Sequence, residues 1–258
     1  MKILISDKKK KDVFVSIFQV LKNCSSLISI MFEPNVAHIQ GMDKSHVCLF
    51  DIKLKNNWFT DYTIENVVNI CFDSSVFHSI ISTKSDNQDL LIKMDNDNPD
   101  ILHINFETTE LKKGDYKKSF KMPLAEYEYE ERNIPSVDYD VEFSLSSKQI
   151  TDMFSQLTNF GSDIIIKCTE NDLSFTTNGV TGEMRADIYI DDLTSYSIVE
   201  DEEVILTYSL AYINKMCITN KLSNDIDFSL SNECPMKINY NLGDNSFMVF
   251  YIAPKIND

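Results

Sequence analysis

The stretch FVSIFQVLKNCSSLISI, from Phe14 to Ile30, lies opposite ITDMFSQLTNFGSDIII, from Ile150 to Ile166, when the chain is slid along itself by 136 residues. The offset holds without a gap from Phe14 to Pro99, which meets Pro235. Phe18 falls on Phe154, Leu21 on Leu157, Asn23 on Asn159, Ile28 on Ile164 and Ile30 on Ile166; farther on, Val68 meets Val204 and Asp89 meets Asp225. The hydrophobic spacing moves with these identities. Phe14, Ile17, Phe18 and Leu21 recur at the interval of one helical face, and so do Ile150, Met153, Phe154 and Leu157. Each stretch predicts a helix of about four turns running into a strand, and the chain reads as two copies of one domain.

Working outward, each copy continues in alternating apolar runs. The first has LISIMF, VAHIQ and HVCLFDIKL; the second has DIIIKC, LSFTT and EMRADIYI, with Asn178-Gly179 as a tight-turn signal. A short helix is expected near Ser74 to Ser82 and again at Leu210 to Thr219, followed by strands at DLLIKMD, ILHINFE, DIDFSLS, MKINYNL and SFMVFYIA. The expected fold class is α+β, two duplicated domains with mostly antiparallel sheets. Domain boundaries are drawn at 1–119 and 136–258. The segment FKMPLAEYEYEERNIP between them, acidic and bounded by prolines, reads as an exposed connector at 120–135, either a solvated linker or a partner contact.

The chain has 258 residues, 43% of them hydrophobic, with 40 acidic against 24 basic side chains and a formal net charge of -16. A chain of this size buries roughly 70–75% of its unfolded surface and needs no staple. The six cysteines, Cys24, Cys48, Cys71, Cys168, Cys217 and Cys234, are scattered without a CxxC pair, which suits buried thiols in a reducing compartment. The opening MKILISDKKKK is too short in apolar residues for a signal peptide, and no run reaches the ~18 residues of a membrane span; an intracellular, soluble protein is expected. The acidic total argues against nucleic acid, but the distribution reverses that. The four expected helix regions, Lys8 to Asn23, Ser74 to Lys84, Ser147 to Asn159 and Ser209 to Lys221, sum to +7, leaving -23 on everything else. Lysines crowd Lys8 to Lys11, at the helix end where the dipole disfavours cations, which calls for an external anion as compensation. Basic helices on an acidic body suit sequence-neutral contact with DNA phosphates.

Signals for an enzyme are missing from the sequence. There is no phosphate loop, GxSxG, HExxH or dinucleotide fingerprint, and His38, His46, His78 and His103 lack metal-site spacing. Asp95-Asn-Asp-Asn-Pro-Asp100 begins like a calcium loop, but Pro99 and the missing glycine and glutamate favour a hairpin turn. No metal or cofactor is expected.

Two strings carry a family resemblance: IQGMDKSHV, Ile39 to Val47, and YIAPKI, Tyr251 to Ile256. Both resemble the PCNA-type DNA sliding clamps of eukaryotes and their viruses, and the length, the duplication and the connector position correspond as well. The resemblance implies two similar domains per subunit and three subunits closing a ring, with helices lining a channel round duplex DNA and sheets outside. It implies a processivity factor without catalysis, working in the nucleus or a viral replication compartment. Its partners would be a DNA polymerase, a clamp loader, and nuclease and ligase peptides. The alternative is a checkpoint-type clamp subunit, a protein-recruiting scaffold in a hetero-oligomer.

Carried over by position, the partner-peptide pocket would comprise Met42, His46, Val47, Leu49, Ile134, Pro135, Pro235, Tyr251 and Ala253, accepting a short helix. DNA contacts would come from Lys8, Lys9, Lys10, Lys11, Lys22, Lys84, Lys148, Lys215 and Lys221. Subunits would join through a strand within Leu111 to Ser119, with Tyr116 and Lys118, against one within Thr181 to Tyr189 of a neighbour, with Thr181, Gly182 and Arg185. This chain departs from the family in a connector about four residues longer and in Arg132 at a usually apolar pocket position. Ser79, Ser82, Asp152, Ser155, Ala211 and Ile218 stand where channel cations are common, and Glu170 stands where the family carries a modifiable lysine.

Overall fold

A computed structural model describes residues 1–95, 97–108, 114, 116–126 and 131–255. It divides into two units, one formed by Met1–Gly41, Asp51–Arg132 and Leu242–Phe247, the other by Met42–Phe50, Asn133–Asn241 and Met248–Asp258. In chain order the first half runs β1 (Lys2–Ile5), α1 (Lys8–Cys24), β2 (Leu27–Glu33), β3 (Val36–Met42), β4 (Cys48–Lys55), β5 (Asp61–Thr63), β6 (Val68–Asp73), α2 (Ser74–Ile81), β7 (Asp89–Asp95), β8 (Asn98–Glu107) and β9 (Lys118–Pro123). The second runs β10 (Val141–Ser146), α3 (Ser147–Leu157), β11 (Asp163–Cys168), β12 (Leu173–Gly179), β13 (Gly182–Ile188), β14 (Ser195–Ile198), β15 (Val204–Ser209), α4 (Leu210–Met216), β16 (Asp225–Leu230), β17 (Met236–Gly243) and β18 (Ser246–Ile252).

The duplication holds down to strand register. Ile28 of β2 faces Phe72 of β6, and Ile164 of β11 faces Tyr208 of β15; Met31 faces His38 in β3, and Lys167 faces Ser174 in β12. Every one of these pairs is related by the same 136-residue shift. β1 lies between β5 and β7 as β10 lies between β14 and β16, all antiparallel.

Helix α1 starts where Asp7, in extended geometry, accepts the Lys10 N–H at 2.8 Å, and it stops at Ser25, whose N–H bonds the Leu21 carbonyl. Its apolar face closes the first core: Phe18 meets Phe77 edge-on at 4.6 Å, and Phe77 lies 4.4 Å from Phe72. In the second unit Phe154 takes the place of Phe18, set against Phe175 and Phe228, with Phe143 stacked on Phe228 at 5.1 Å. Each such buried ring contributes about 1.5–3 kcal/mol from apolar area alone.

Three expectations are corrected. The β12–β13 turn is not Asn178-Gly179 but Val180-Thr181, because Gly179 already pairs with Gly182. Gly179 is required by crowding instead: a Cβ there would sit 2.0 Å from the Phe160 carbonyl oxygen. The strand sought within Leu111 to Ser119 begins only at Lys118, while residues 111–113 and 115 of that expectation lie outside the described residues. The segment read as connector is strand as far as Pro123, with Met122 buried, because β9 pairs with β8 from Lys118 to Pro123; residues 127–130 lie outside the described residues, as does Ile256 of the YIAPKI string. The Asp95 to Asp100 segment is a tight hairpin, Asp95 facing Asn98, with Asn96 outside the description. No helix among the described residues is long and apolar enough to cross a membrane.

Candidate functional site

The loop between β3 and β4 is organised by one carboxylate. Buried Asp43 accepts the N–H groups of Ser45, Val47 and Cys48 at 2.9, 2.8 and 2.7 Å, and the Tyr212 hydroxyl at 3.3 Å. Burial pushes its carboxyl up, but the Cys48, Ser45 and Val47 amides and Tyr212 outweigh that and hold it below the ordinary carboxylate range. The loop tightens enough to put His46 at φ 57°. What it presents is half-buried and apolar: Met42, Val47 and Leu49, with His46 exposed. Ala253 donates its N–H to the Val47 carbonyl at 3.0 Å, joining the end of β18 to the loop. The Tyr139 hydroxyl donates to the Pro235 carbonyl at 3.5 Å. Thus Val47 joins Ala253 within one unit; Ile134 is half-buried and Pro135 exposed.

The candidate DNA lysines separate into two groups. Lys11 is a correction: it is 1% exposed, and its ammonium donates to the Asp86 and Gln88 carbonyls at 3.1 and 2.5 Å, so it cannot meet a phosphate. Lys8 pairs with Asp86 at 2.6 Å, Lys10 with Asp244 at 2.6 Å, and Lys84 with Asp12 at 2.5 Å, so the anions that compensate the lysine cluster belong to the protein itself. Lys9, Lys148, Lys215 and Lys221 are exposed, Lys22 half-buried. Lys84 and Lys221 lie beyond the ends of α2 and α4, which are shorter than the sequence predicts. Lys215 lies over the Tyr212 ring at 5.5 Å, and Tyr212 in turn touches Asp43.

Two sheet edges stand out. β9 ends the order β5-β1-β7-β8-β9, and β13 ends the order β13-β12-β11-β15. Tyr116, just before β9, is 68% exposed; Lys118 caps the Thr83 carbonyl and lies over the Phe106 ring at 5.0 Å. On the other edge, Thr181 and Gly182 form the turn into β13, and exposed Arg185 pairs with Asp187 at 2.7 Å.

Residues 6–131 match the family model described as "Proliferating cell nuclear antigen, N-terminal domain", and residues 133–255 match that of its C-terminal domain. The chain belongs to the proliferating cell nuclear antigen family of sliding clamps. Over 225 residues it is 28% identical to "Proliferating cell nuclear antigen" of Chaetomium thermophilum, 85% of each chain being covered. Over 262 residues it is 24% identical to "Proliferating cell nuclear antigen 1" of Plasmodium falciparum, covering 95% of this chain and 94% of that one. Within this clamp family member, sequence reasoning missed Asp43, Tyr212 and His78 as site residues. Asp43 sits inside the IQGMDKSHV string and is followed at once by three polar residues, Lys44, Ser45 and His46, a loop signal that a side-chain acceptor satisfies well. His78 has a partner, Lys22, that only the fold brings near.

Proposed function

We propose that this chain is a DNA sliding clamp that gives a polymerase processivity: subunits close into a ring round duplex DNA, and the clamp has no catalysis of its own. The match to both family domains carries the reading, and the basic helix regions on an acidic chain support it. The two clamp domains, read from the sequence as 1–119 and 136–258, are joined by a connector that begins only after β9 ends at Pro123. DNA contact falls to Lys9, Lys22, Lys148, Lys215 and Lys221, with Lys8, Lys10 and Lys84 held in ion pairs nearby. The strand edges at β9 and β13 join successive subunits, closing a trimer. The loop built on Asp43 and the surface of Met42, Val47, Leu49, Ile134, Pro135, Pro235, Tyr251 and Ala253, with His46 at its rim, hold peptides of polymerase, loader, nuclease and ligase. Its site of work is the nucleus, or the replication compartment of a virus.

Topology supplies the test. Rings loaded on a closed circular plasmid are expected to survive a salt wash and to leave when the plasmid is cut, while direct affinity for short linear duplex is weak and falls steeply with salt. Changing Lys22, Lys215 and Lys221 together to Glu is expected to reduce loading without preventing assembly. Equal retention on linear and circular DNA, or full polymerase stimulation by the triple variant, would replace this reading with that of a recruiting scaffold in a hetero-oligomer.

A further inference from the structure

Lys22, Asn23, Ser75, His78, Ser79 and Ser82 line an open notch of about 480 Å3 on α1 and α2 and the turn after α2. A chain with 40 acidic residues places none of them in this lining. What faces the space is an ammonium, an imidazole, three hydroxyls and an amide, a set dominated by donors and suited to an anion. Lys22 Nζ lies 3.2 Å from His78 Nδ1, and Ser82 Oγ lies 3.2 Å from His78 Nε2. An ammonium has no lone pair, so Nδ1 accepts from Lys22, and the imidazole proton sits on Nε2 facing the Ser82 oxygen. His78 is therefore neutral in this arrangement, and burial together with the Lys22 charge holds its pKa below the ordinary histidine value.

The charged groups around His78 are few. α1 contributes Lys22; α2 contributes hydroxyls; Asp73, at the end of β6, is committed to capping the Val76 N–H at 2.8 Å; and beyond α2 Lys84 is paired with Asp12. An anion entering the notch would give Lys22 an oxygen to bond in place of Nδ1. The vacated Nδ1 then takes up a proton from solvent hydronium, and the N–H so formed donates a hydrogen bond to the same anion.

We propose that this notch is a phosphate subsite and that His78 takes up a proton when phosphate binds, so that contact with a nucleic-acid backbone tightens as pH falls. The proposal rests on the sliding-clamp reading for the source of the phosphate, but its chemistry stands on the notch alone. The test uses the full chain as purified, with labelled histidine followed by NMR and the His78 signal assigned by a His78→Gln variant. The imidazoles are titrated at constant ionic strength alone, with a short linear duplex, and with inorganic phosphate. The His78 pKa is expected to rise by about one unit with duplex, and duplex affinity to rise about tenfold as pH falls through the titration. His78→Gln and Lys22→Gln, checked for unchanged denaturation midpoints, are each expected to remove that pH slope; if His78→Gln fails to fold, His78→Asn replaces it. A His78 titration indifferent to both duplex and phosphate, or a His78→Gln variant that keeps the wild-type slope, overturns the proposal. Duplex binding that ignores pH overturns the subsite but spares the clamp. A response to inorganic phosphate without any response to duplex upholds the anion subsite and overturns its use on a nucleic-acid backbone; the clamp reading is decided separately by retention on circular plasmid.

Discussion

Asp43 shows how much one side chain carries. It satisfies three backbone amides, that of Cys48 buried and those of Ser45 and Val47 partly so, and charged hydrogen bonds of this kind contribute more than neutral ones. Asp43→Ala is expected to cost about 2–4 kcal/mol in urea denaturation. Calorimetry with a peptide bearing a glutamine followed by aliphatic and paired aromatic anchors is expected to show weaker binding as well, because Val47 and Met42 lose their frame. Since the folded-state pKa of Asp43 lies below its unfolded value, its contribution is present above the usual carboxylate range. That contribution disappears as pH falls through the folded pKa. Denaturation midpoints of wild type and Asp43→Ala are therefore expected to converge in acid; a constant gap would remove the carboxylate from the account. The loop's position was legible from its string, but its hydrogen-bonding centre was not, because an aspartate's acceptors show their purpose only once the backbone curls round them. Lys11 misled in the opposite sense: as a letter in a run of four lysines it looks solvated, and only the fold reveals the two carbonyls it serves.

At the scale of elements, the helices and most strands could be read directly, since 3.6-residue and alternating patterns are what burial on one face produces. α1 buries its whole expected face, Phe14, Ile17, Phe18 and Leu21, while α3 buries Ile150, Phe154 and Leu157 but leaves Met153 half-exposed. Strand ends were less legible, as they depend on pairing partners rather than on the segment itself. β9 runs into the acidic, proline-bounded segment because β8 offers it a ladder, and the β12–β13 turn shifts two residues because Gly179 is needed against Phe160. Gly179→Ala tests that explanation: its Cβ would collide with backbone that cannot swing aside, and a loss of about 1–3 kcal/mol is expected by thermal or urea denaturation. Gly114, with open space around its missing Cβ, is a poor control because its φ of +100° strains any side chain. If Gly179→Ala proves neutral, the turn rather than the close approach governs the position.

For the whole molecule, the charge split and the two sheet edges lead to an expectation about assembly. Light scattering is expected to give three times the 29.7 kDa of one chain, and Tyr116→Ala to shift the population toward smaller species, since an aromatic 68% exposed beside an edge strand gains most by being covered. A monomer at micromolar concentration and low salt would exclude the trimer. The division of the chain has a further consequence, for synthesis. The first unit includes Leu242–Phe247. The Trp58 indole N–H is satisfied by the Leu242 carbonyl at 3.0 Å, Lys55 N–H by Ser246 Oγ at 2.9 Å, and Lys10 by Asp244. A ribosome that has made residues 1–132 has therefore not yet made what completes their core. The nascent first half must wait, with a buried tryptophan donor unmet, until the whole of 133–241 has followed it out of the exit tunnel, so this duplicated protein cannot mature one repeat at a time.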